Sequence, residues 1–152
     1  MTTARTSLVP AARIRALRHA VLRPGTPPES AVYPEDDAPT TFHIAAHDAG
    51  GALRACATFF PEPLPEHLGA GAGETAYRFR GMASDPAVRG RGFGAAVLAA
   101  GLAEAAARGA AVVWCNGRTP ARGFYEHHGF TARGEEFEVP GIGPHLVFTI
   151  KL

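Results

Sequence analysis

Lysine is nearly absent from this chain: of its 15 basic Lys and Arg residues, the only lysine is Lys151. A P-loop that binds nucleoside triphosphates ends in Gly-Lys followed by Ser or Thr, and no such tripeptide is present. Nucleoside triphosphate hydrolysis is therefore not expected. Surplus charge is also lacking, because the net charge is +1 and the isoelectric point is near 7.9. No overall field favours a nucleic-acid partner, and the arginines are dispersed apart from one pair.

Cysteine is scarce as well, with only Cys56 and Cys115 in the chain. Two cysteines do not make a disulfide framework for a protein of this length, and both lie in apolar, strand-like segments. We expect buried thiols. A catalytic Cys115 is the alternative, but no activating base is next to it in the sequence.

Long apolar runs are missing too. No segment reaches the roughly 18 apolar residues of a membrane span, and the first residues lack the apolar core of a signal peptide. We therefore expect a cytoplasmic protein with no membrane partner.

A length of 152 residues predicts one domain, residues 1–152. No metal is expected, because the adjacent His127 and His128 on a helix would point in different directions.

Glycine is abundant, and the most informative stretch is Arg-Gly-Arg-Gly-Phe-Gly at residues 89–94, which leads into an Ala- and Leu-rich run at 95–107. Glycines let backbone N–H groups approach a ligand closely, and the first amides of a helix have no intrahelical acceptor. This junction therefore predicts an anion site at a helix N-terminus, next to two arginines. The glycine spacing differs from the G-x-G-x-x-G of dinucleotide-binding folds.

The neighbouring segments predict an ordered series of elements. Residues 77–83 and 110–115 read as strands, before and after the helix at 95–107. Thr119 is predicted as the N-cap of a short helix at 121–128. Elsewhere the pattern predicts the following elements: a helix at 10–23, a surface loop at 24–40 that includes three consecutive acids, a hairpin of 41–47 with 53–60, and an antiparallel pair of 137–139 with 146–150.

Two of these segments carry a family resemblance. Arg89, Gly92 and Gly94 fit the Arg/Gln-x-x-Gly-x-Gly/Ala signature of the GNAT superfamily of acyl-CoA N-acyltransferases, and residues 121–130 resemble its downstream Ala-x-x-Phe-Tyr-x-x-x-Gly-Phe segment. Residues 18–23, 114–118 and 141–145 look like the ElaA-like branch. The resemblance implies an α/β (α+β) fold, a mixed and mostly antiparallel sheet with a central splayed pair of parallel strands flanked by helices.

The resemblance also implies a cosubstrate, acetyl-CoA, and the residues that hold it. The pantetheine arm would lie between the strands at 77–84 and 110–115, and backbone groups of Met82, Ala83 and Ser84 would pair with it. The pyrophosphate would be held mainly by the amides of the loop, whose residues are Arg89, Gly90, Arg91, Gly92, Phe93 and Gly94. Asn116, after the second strand, is a candidate to hydrogen-bond the pantetheine amide, or else a turn former beside Gly117.

Tyr125 is the candidate general acid, because it occupies the position where the family's tyrosine hydroxyl approaches the coenzyme A sulfur. A phenol has a pKa near 10 and a thiol one near 8.5, so hydrogen bonding to the thiolate is the other contribution it can make. A packing role between helix and sheet is the structural alternative. For the general base that takes the proton of the amine, the candidates are Glu74, Glu62 and His145.

Two functions remain open at this point. The first is an N-acetyltransferase that acts by direct attack in a ternary complex on a small-molecule or peptide amine. The second is a module of the same fold that binds or senses acyl-CoA without turnover. A generic nucleotide-binding domain is disfavoured by the glycine spacing. A homodimer is left open by the sequence.

Overall fold

The computed structural model describes residues 4–68 and 75–152. Its helices and strands, in chain order, are β1 (Arg5–Val9), α1 (Arg15–Leu22), β2 (Phe42–His47), β3 (Leu53–Pro61), β4 (Ala76–Ser84), α2 (Phe93–Ala107), β5 (Val112–Arg118), α3 (Arg122–His127), β6 (Thr131–Val139) and β7 (Gly143–Lys151). Short 3-10 turns at Ala11–Arg13, Pro28–Ala31, Glu66–Leu68, Pro86–Val88 and Thr119–Ala121 connect some of them.

The strands hydrogen-bond in the order β1-β2-β3-β4-β5-β7-β6. β4 and β5 are parallel, and their register pairs Ala76 to Arg78 with Val112 to Trp114. The pairs β1 with β2, β2 with β3, β5 with β7 and β6 with β7 are antiparallel. The predicted mixed sheet with one parallel pair and flanking helices is therefore confirmed.

The chain divides into two compact units, each with its own apolar cluster. The first unit comprises Met1–Phe60 with Phe79–Glu104, and the second comprises Pro61–Arg78 with Ala105–Leu152. In the first, α1 packs its apolar side chains against a cluster formed by Ile14, Ala45, Cys56 and Ala83. In the second, the cluster is formed by Leu64, Ala76, Val112, Trp114 and Val147.

Most elements lie where the sequence predicts them. The hairpin is β2 with β3, the C-terminal pair is β6 with β7, and the helix after the glycine loop is α2. Strand β1 was not predicted. Its residues are exposed apart from Val9, which is partly buried, so the strand carries no alternating apolar pattern and is formed by its hydrogen bonds to β2.

Two local predictions are wrong. Thr119 is not an N-cap: it opens the 3-10 turn that Arg118 caps, and its hydroxyl donates to the Glu136 carboxylate at 2.9 Å. The acids of the 24–40 segment do not all lie at the surface, because Asp36 is only 4% exposed. A buried carboxylate requires a partner, and Asp36 has the guanidinium of Arg18, which is 18 residues away in sequence.

Candidate active site

The glycine-rich loop joins a 3-10 turn to the first turn of α2. Gly90 and Gly92 have φ angles of +81° and +86°, a conformation that side-chain-bearing residues rarely adopt. The Arg89 and Arg91 amides donate within the turn, to the Pro86 and Val88 carbonyls, whereas the first helical bond runs from the Ala96 amide to the Gly92 carbonyl. The amides of residues 92–95 therefore precede the helical ladder, and they are the donors that an anion would use.

Both ends of this loop are fixed. Before it, the Asp85 carboxylate accepts a hydrogen bond from the Ala87 amide at 2.9 Å and pairs with Arg54 Nη1 at 2.7 Å. These interactions hold the pKa of Asp85 below its usual value, so it stays ionised. After it, the Phe93 side chain is buried at 6% exposure. The loop is thus a pre-formed turn whose two arginine side chains, Arg89 and Arg91, are exposed.

Close packing also accounts for Gly94. A Cβ atom on this residue would lie 3.0 Å from the Ser84 hydroxyl oxygen at the end of β4. The end of β4 and the start of α2 therefore approach each other within the first unit. Of the three β4 residues singled out from the sequence, Ala83 is buried and Met82 and Ser84 are half-buried.

Tyr125 lies in the second unit, on α3, and its ring is enclosed by aromatic residues. It stacks on Phe148 with 4.7 Å between ring centroids and meets the edges of Phe124 and Phe130 at 5.4 and 5.8 Å. A Cβ atom at Gly117 of β5 would lie only 2.6 Å from the Tyr125 ring, so glycine is needed there. The residue is 8% exposed.

The hydroxyl of Tyr125 is hydrogen-bonded to the thiol of Cys115. Burial, followed by the nearby Cys115 group, raises the pKa of Tyr125 well above its usual value. Burial likewise raises the pKa of Cys115, so both groups are protonated at neutral pH. A thiol in this state is not a nucleophile, and the expectation that Cys115 is a buried thiol is confirmed; the same holds for Cys56.

The remaining candidates lie in different surroundings. Asn116 is half-buried on β5, in register with Val147 of β7. The Glu62 carboxylate is engaged by Arg78 at 3.0 Å. His145 is buried, and its Nδ1 lies 2.9 Å from the Gly143 carbonyl oxygen. Because a carbonyl only accepts, Nδ1 carries a proton, so Nε2 is the ring nitrogen that can accept when the imidazole is neutral. Glu74 lies outside the described residues.

One buried polar network was missed at the sequence level. The Arg18 guanidinium, fully buried on α1, donates to both carboxylate oxygens of Asp36 at 2.8 and 3.1 Å, and to Thr58 Oγ1 at 2.5 Å. Burial opposes the ionisation of Asp36, but the hydrogen bonds from Arg18, the Tyr33 amide and Arg15, together with the charge of Arg18, outweigh it and lower the pKa of Asp36. The available signal was the position of Arg18, four residues after Ile14 on the apolar face of the helix.

His43 of β2 completes this network. Its Nε2 lies 3.0 Å from the Asp36 carbonyl oxygen and its Nδ1 lies 2.8 Å from Thr58 Oγ1. Since the carbonyl only accepts, Nε2 carries the proton and the Thr58 hydroxyl donates to Nδ1. Burial lowers the pKa of His43, which keeps the ring neutral. All the donor and acceptor directions in this chain of contacts are therefore consistent.

Across residues 4–68 and 75–152, no cluster of three or more His, Cys, Asp or Glu side chains is arranged to hold a metal ion. Within the same ranges, no helix is both long enough and apolar enough to cross a membrane.

Comparisons with known proteins agree with the loop and the order of elements. The profile of the "Acetyltransferase (GNAT) family" matches residues 12–130. The chain is 36% identical over 131 residues to the "Uncharacterized N-acetyltransferase YitI" of Bacillus subtilis (strain 168), covering 86% of this chain and 85% of that protein. The chain therefore belongs to the GNAT family, and it is an acyltransferase by that membership.

Solved structures show the same fold at low sequence identity. Escherichia coli ElaA superposes with a TM-score of 0.74 at 19% identity, over 99% of this chain and all of that one. The structure described as "histone acetyltransferase HPA2 and related acetyltransferase" from Corynebacterium glutamicum gives a TM-score of 0.76 at 17% identity, over 100% and 98% of the two chains. These structures, ElaA among them, thus share the fold of this chain. Membership of the family implies a coenzyme A thioester as one substrate and an acceptor as the other.

Proposed function

We propose that this protein transfers an acetyl group from acetyl-CoA to a primary amine of a small molecule or peptide, by direct attack of the amine in a ternary complex. The observation that carries the proposal is the turn at residues 89–94, where two glycines of positive φ precede the free amides of α2. Family membership supplies the class of reaction.

The loop fits the pyrophosphate of coenzyme A. Four amides at residues 92–95 precede the first helical hydrogen bond, and the Gly90 amide lies in the same turn. A Cβ atom at Gly90 would meet no heavy atom within 4 Å, so the turn leaves open space on that side. The exposed Arg89 and Arg91 side chains add positive charge next to it. Five backbone donors and two cations suit a diphosphate better than they suit a neutral ligand.

The end of β4 is proposed to receive the arm that carries the thioester. The parallel register with β5 uses only the first three residues of this strand, Ala76 to Arg78. Further along, backbone groups of Met82, Ala83 and Ser84 would hydrogen-bond to the pantetheine amides, as an added strand does. One N–H among them would polarise the thioester carbonyl as the amine attacks. Asn116, on β5, is proposed to contact the pantetheine through its side-chain amide.

Tyr125 is proposed to stabilise the departing thiolate by donating a hydrogen bond. Its raised pKa keeps the hydroxyl protonated, but it also makes transfer of that proton to a thiolate more unfavourable than the ordinary values of about 10 and 8.5 imply. A short hydrogen bond from the Tyr125 hydroxyl to the thiolate stabilises the thiolate without any proton transfer. The proton that the thiolate finally takes would come from the attacking amine.

The proton acceptor for the amine is proposed to be His145 or Glu74. The tautomer of His145, with its proton on Nδ1, leaves Nε2 able to accept. Glu62 is less suitable, because its carboxylate is already paired with Arg78. A His145→Gln variant that keeps the pH dependence of kcat/KM would assign this role to Glu74 or to solvent.

A second function, binding or sensing of acyl-CoA without turnover, is favoured by one observation. The Tyr125 hydroxyl is buried and already has a partner in Cys115. Titration calorimetry with acetyl-CoA, ATP and NAD, followed by a thiol-release assay with a panel of amines, separates the functions. An acetyltransferase binds only acetyl-CoA and releases thiol with at least one amine, whereas a sensor binds acetyl-CoA and releases none.

The loop assignment is tested with Gly92→Glu. Glutamate places a negative charge and a side chain at a φ of +86° beside the proposed phosphate donors, so we expect acetyl-CoA affinity to fall by at least about 100-fold. Gly25→Glu is the matched control: Gly25 also has a positive φ, of +78°, with no heavy atom near its Cβ position. Equal affinity in the two variants would refute the proposed cradle.

A further inference from the structure

The Arg18 side chain lies close to the backbone of β4 at Gly81. A Cβ atom at Gly81 would lie 3.0 Å from Arg18 Nε and 2.9 Å from Cε2 of Tyr33. The φ of Gly81 is +68°, so the strand makes a left-handed step there. The space that a side chain would need is taken by a guanidinium and an aromatic ring. Gly81 is followed directly by the residues proposed to bind the thioester arm.

The guanidinium itself is held from several directions. Besides Asp36 and Thr58, Arg18 Nη1 donates to the Ala31 carbonyl at 2.7 Å, and the Tyr33 ring lies 3.9 Å from its central carbon. Asp36 in turn accepts from the Tyr33 amide at 3.1 Å. Within residues 4–68 and 75–152, Arg18 Nε has no hydrogen-bond partner. The one edge of the guanidinium without a polar contact is thus the edge that faces Gly81.

The other side of the left-handed step is also occupied. The thiol of Cys56 on β3 lies 3.9 Å from the Gly81 carbonyl oxygen and is hydrogen-bonded to the backbone of Ala83. Cys56 is fully buried. Gly81 is therefore held at two points, by Arg18 and Tyr33 at its Cβ position and by Cys56 at its carbonyl oxygen.

Stability alone does not account for such an arrangement. A buried ion pair loses hydration, and well-packed apolar side chains of similar size are often as stabilising or more so. Arg18 and Asp36 have no exposed side-chain surface, and they fix the 31–36 segment against β3 and β4 at the point where β4 departs from regular geometry. The Arg18–Asp36 pair instead gives the backbone around it a defined position.

We propose that Arg18 is a positioning residue: through its contact with Gly81 it sets the direction of the backbone N–H and C=O groups of residues 82–84, which receive the acyl thioester. This inference rests on the proposed acetyltransferase function for its catalytic consequence. Its structural content, that Arg18 controls the backbone at 82–84, stands independently of that function.

The test compares Arg18→Lys with Arg15→Lys. Both arginines lie on α1 and both contact Asp36. Arg15 differs in two ways: its side chain is partly exposed, with 3.3 Å between its Nε and Asp36 Oδ2, and none of its atoms is among the three nearest to the Cβ position of Gly81. Lysine at position 18 keeps the charge and loses the paired hydrogen bonds and the flat contact. We expect kcat with acetyl-CoA to fall at least about 10-fold for Arg18→Lys, since misplacement of reacting groups by about 1 Å costs up to 100-fold. Arg15→Lys should stay within about twofold of the wild type.

Backbone amide chemical shifts provide a readout that needs no activity. Arg18→Lys should shift the amide signals of residues 82–84, whereas Arg15→Lys should leave them in place. Because Arg18 acts through Gly81, the effects of Arg18→Lys and Gly81→Ala on kcat should be markedly less than additive. Should Arg18→Lys fail to fold, Thr58→Val removes one acceptor of the guanidinium while keeping the side-chain shape, and the same shifts are expected in smaller measure.

The outcomes of these experiments distinguish the positioning role of Arg18 from the proposed acetyltransferase function. Unmoved amide signals at 82–84 in Arg18→Lys or Thr58→Val, or additive effects on kcat, overturn the positioning role. A wild-type protein that neither binds nor turns over acetyl-CoA overturns the proposed function, and the amide signals then still decide whether Arg18 controls the strand. A purely structural Arg18 would lower the melting temperature and leave kcat per folded molecule unchanged, which also overturns the inference.

Discussion

Replacing Gly117 with alanine adds one methyl group where β5 packs against the ring of Tyr125. The new Cβ would lie 2.6 Å from Tyr125 Cε2 and 2.7 and 2.8 Å from two carbons of the Phe148 ring. Neither ring can easily retreat, because the two stack on each other and Phe148 is fully buried. Overpacking of this kind costs about 1–3 kcal/mol, and alanine regains about 0.5–1 kcal/mol of backbone entropy.

The midpoints of these two ranges leave an expected net loss of about 1.25 kcal/mol, which for a chain of this length lowers the melting temperature by about 2.5–5 °C. Gly123→Ala is the matched control. Gly123 lies in α3 beside Tyr125, no heavy atom is within 4 Å of its Cβ position, and alanine in a helix is favoured by up to about 1 kcal/mol. Thermal unfolding followed by circular dichroism should rank Gly123→Ala at or above the wild type and Gly117→Ala below it.

The same substitution tests the role of the Tyr125 hydroxyl. Displacing the ring moves the hydroxyl, so kcat of Gly117→Ala, measured well below its melting temperature, should fall by about 10-fold or more. In a Tyr125→Phe background the hydroxyl is already gone, and adding Gly117→Ala should change kcat little. The reasoning is refuted if Gly117→Ala melts with the wild type, or if it lowers kcat equally in both backgrounds.

Three further predictions concern titratable side chains. Tyr125→Phe should lower kcat by about 10- to 100-fold and leave acetyl-CoA affinity within about twofold, as measured by thiol release and calorimetry; an unchanged rate would remove the hydroxyl from the reaction. Burial lowers the pKa of His43 in the folded protein, so its contribution to stability is complete above pH 6.5 and is lost as the pH falls through the folded-state pKa. Urea unfolding from pH 7.5 downwards, at about half-unit steps, should therefore show a shallower loss for His43→Gln than for the wild type; parallel curves for the wild type and His43→Gln would contradict this. Burial raises the pKa of Cys56 to about 12 and raises that of Cys115 as well, so iodoacetamide at neutral pH should label neither thiol until the protein is unfolded, and rapid labelling of the native protein would contradict their burial.

The glycine loop could be predicted from the sequence because the pattern that indicates it lies within six consecutive residues. Gly90 and Gly92 have the positive φ that only glycine adopts readily. Helix α2 begins at Phe93, two residues before the start predicted from the sequence. The hairpin of β2 and β3 was likewise predicted from a local signal, the turn formed by Asp48 and two glycines between two strand-like runs. In each case the residues that cause the structure are neighbours in sequence.

Contacts between distant residues explain the failures. Asp36 reads as a solvated acid among other acids, and it is buried because Arg18 reaches it from α1. Thr119 has the sequence context of a helix cap, but its hydroxyl donates a hydrogen bond to Glu136 on β6 instead. Strand β1 has no apolar alternation and depends on the partner it finds in β2.

Short-range geometry or a contiguous motif was enough to predict the loop, most of the elements other than β1, and the tyrosine that the family motif places at position 125. The chemical state of the groups involved depends instead on the tertiary structure. It raised the pKa of Tyr125 by enclosing the hydroxyl beside Cys115, and it buried the Arg18–Asp36 pair against Gly81. The physical reason is that desolvation and charge pairing depend on which atoms surround a group in space, and those atoms come from segments far apart along the chain.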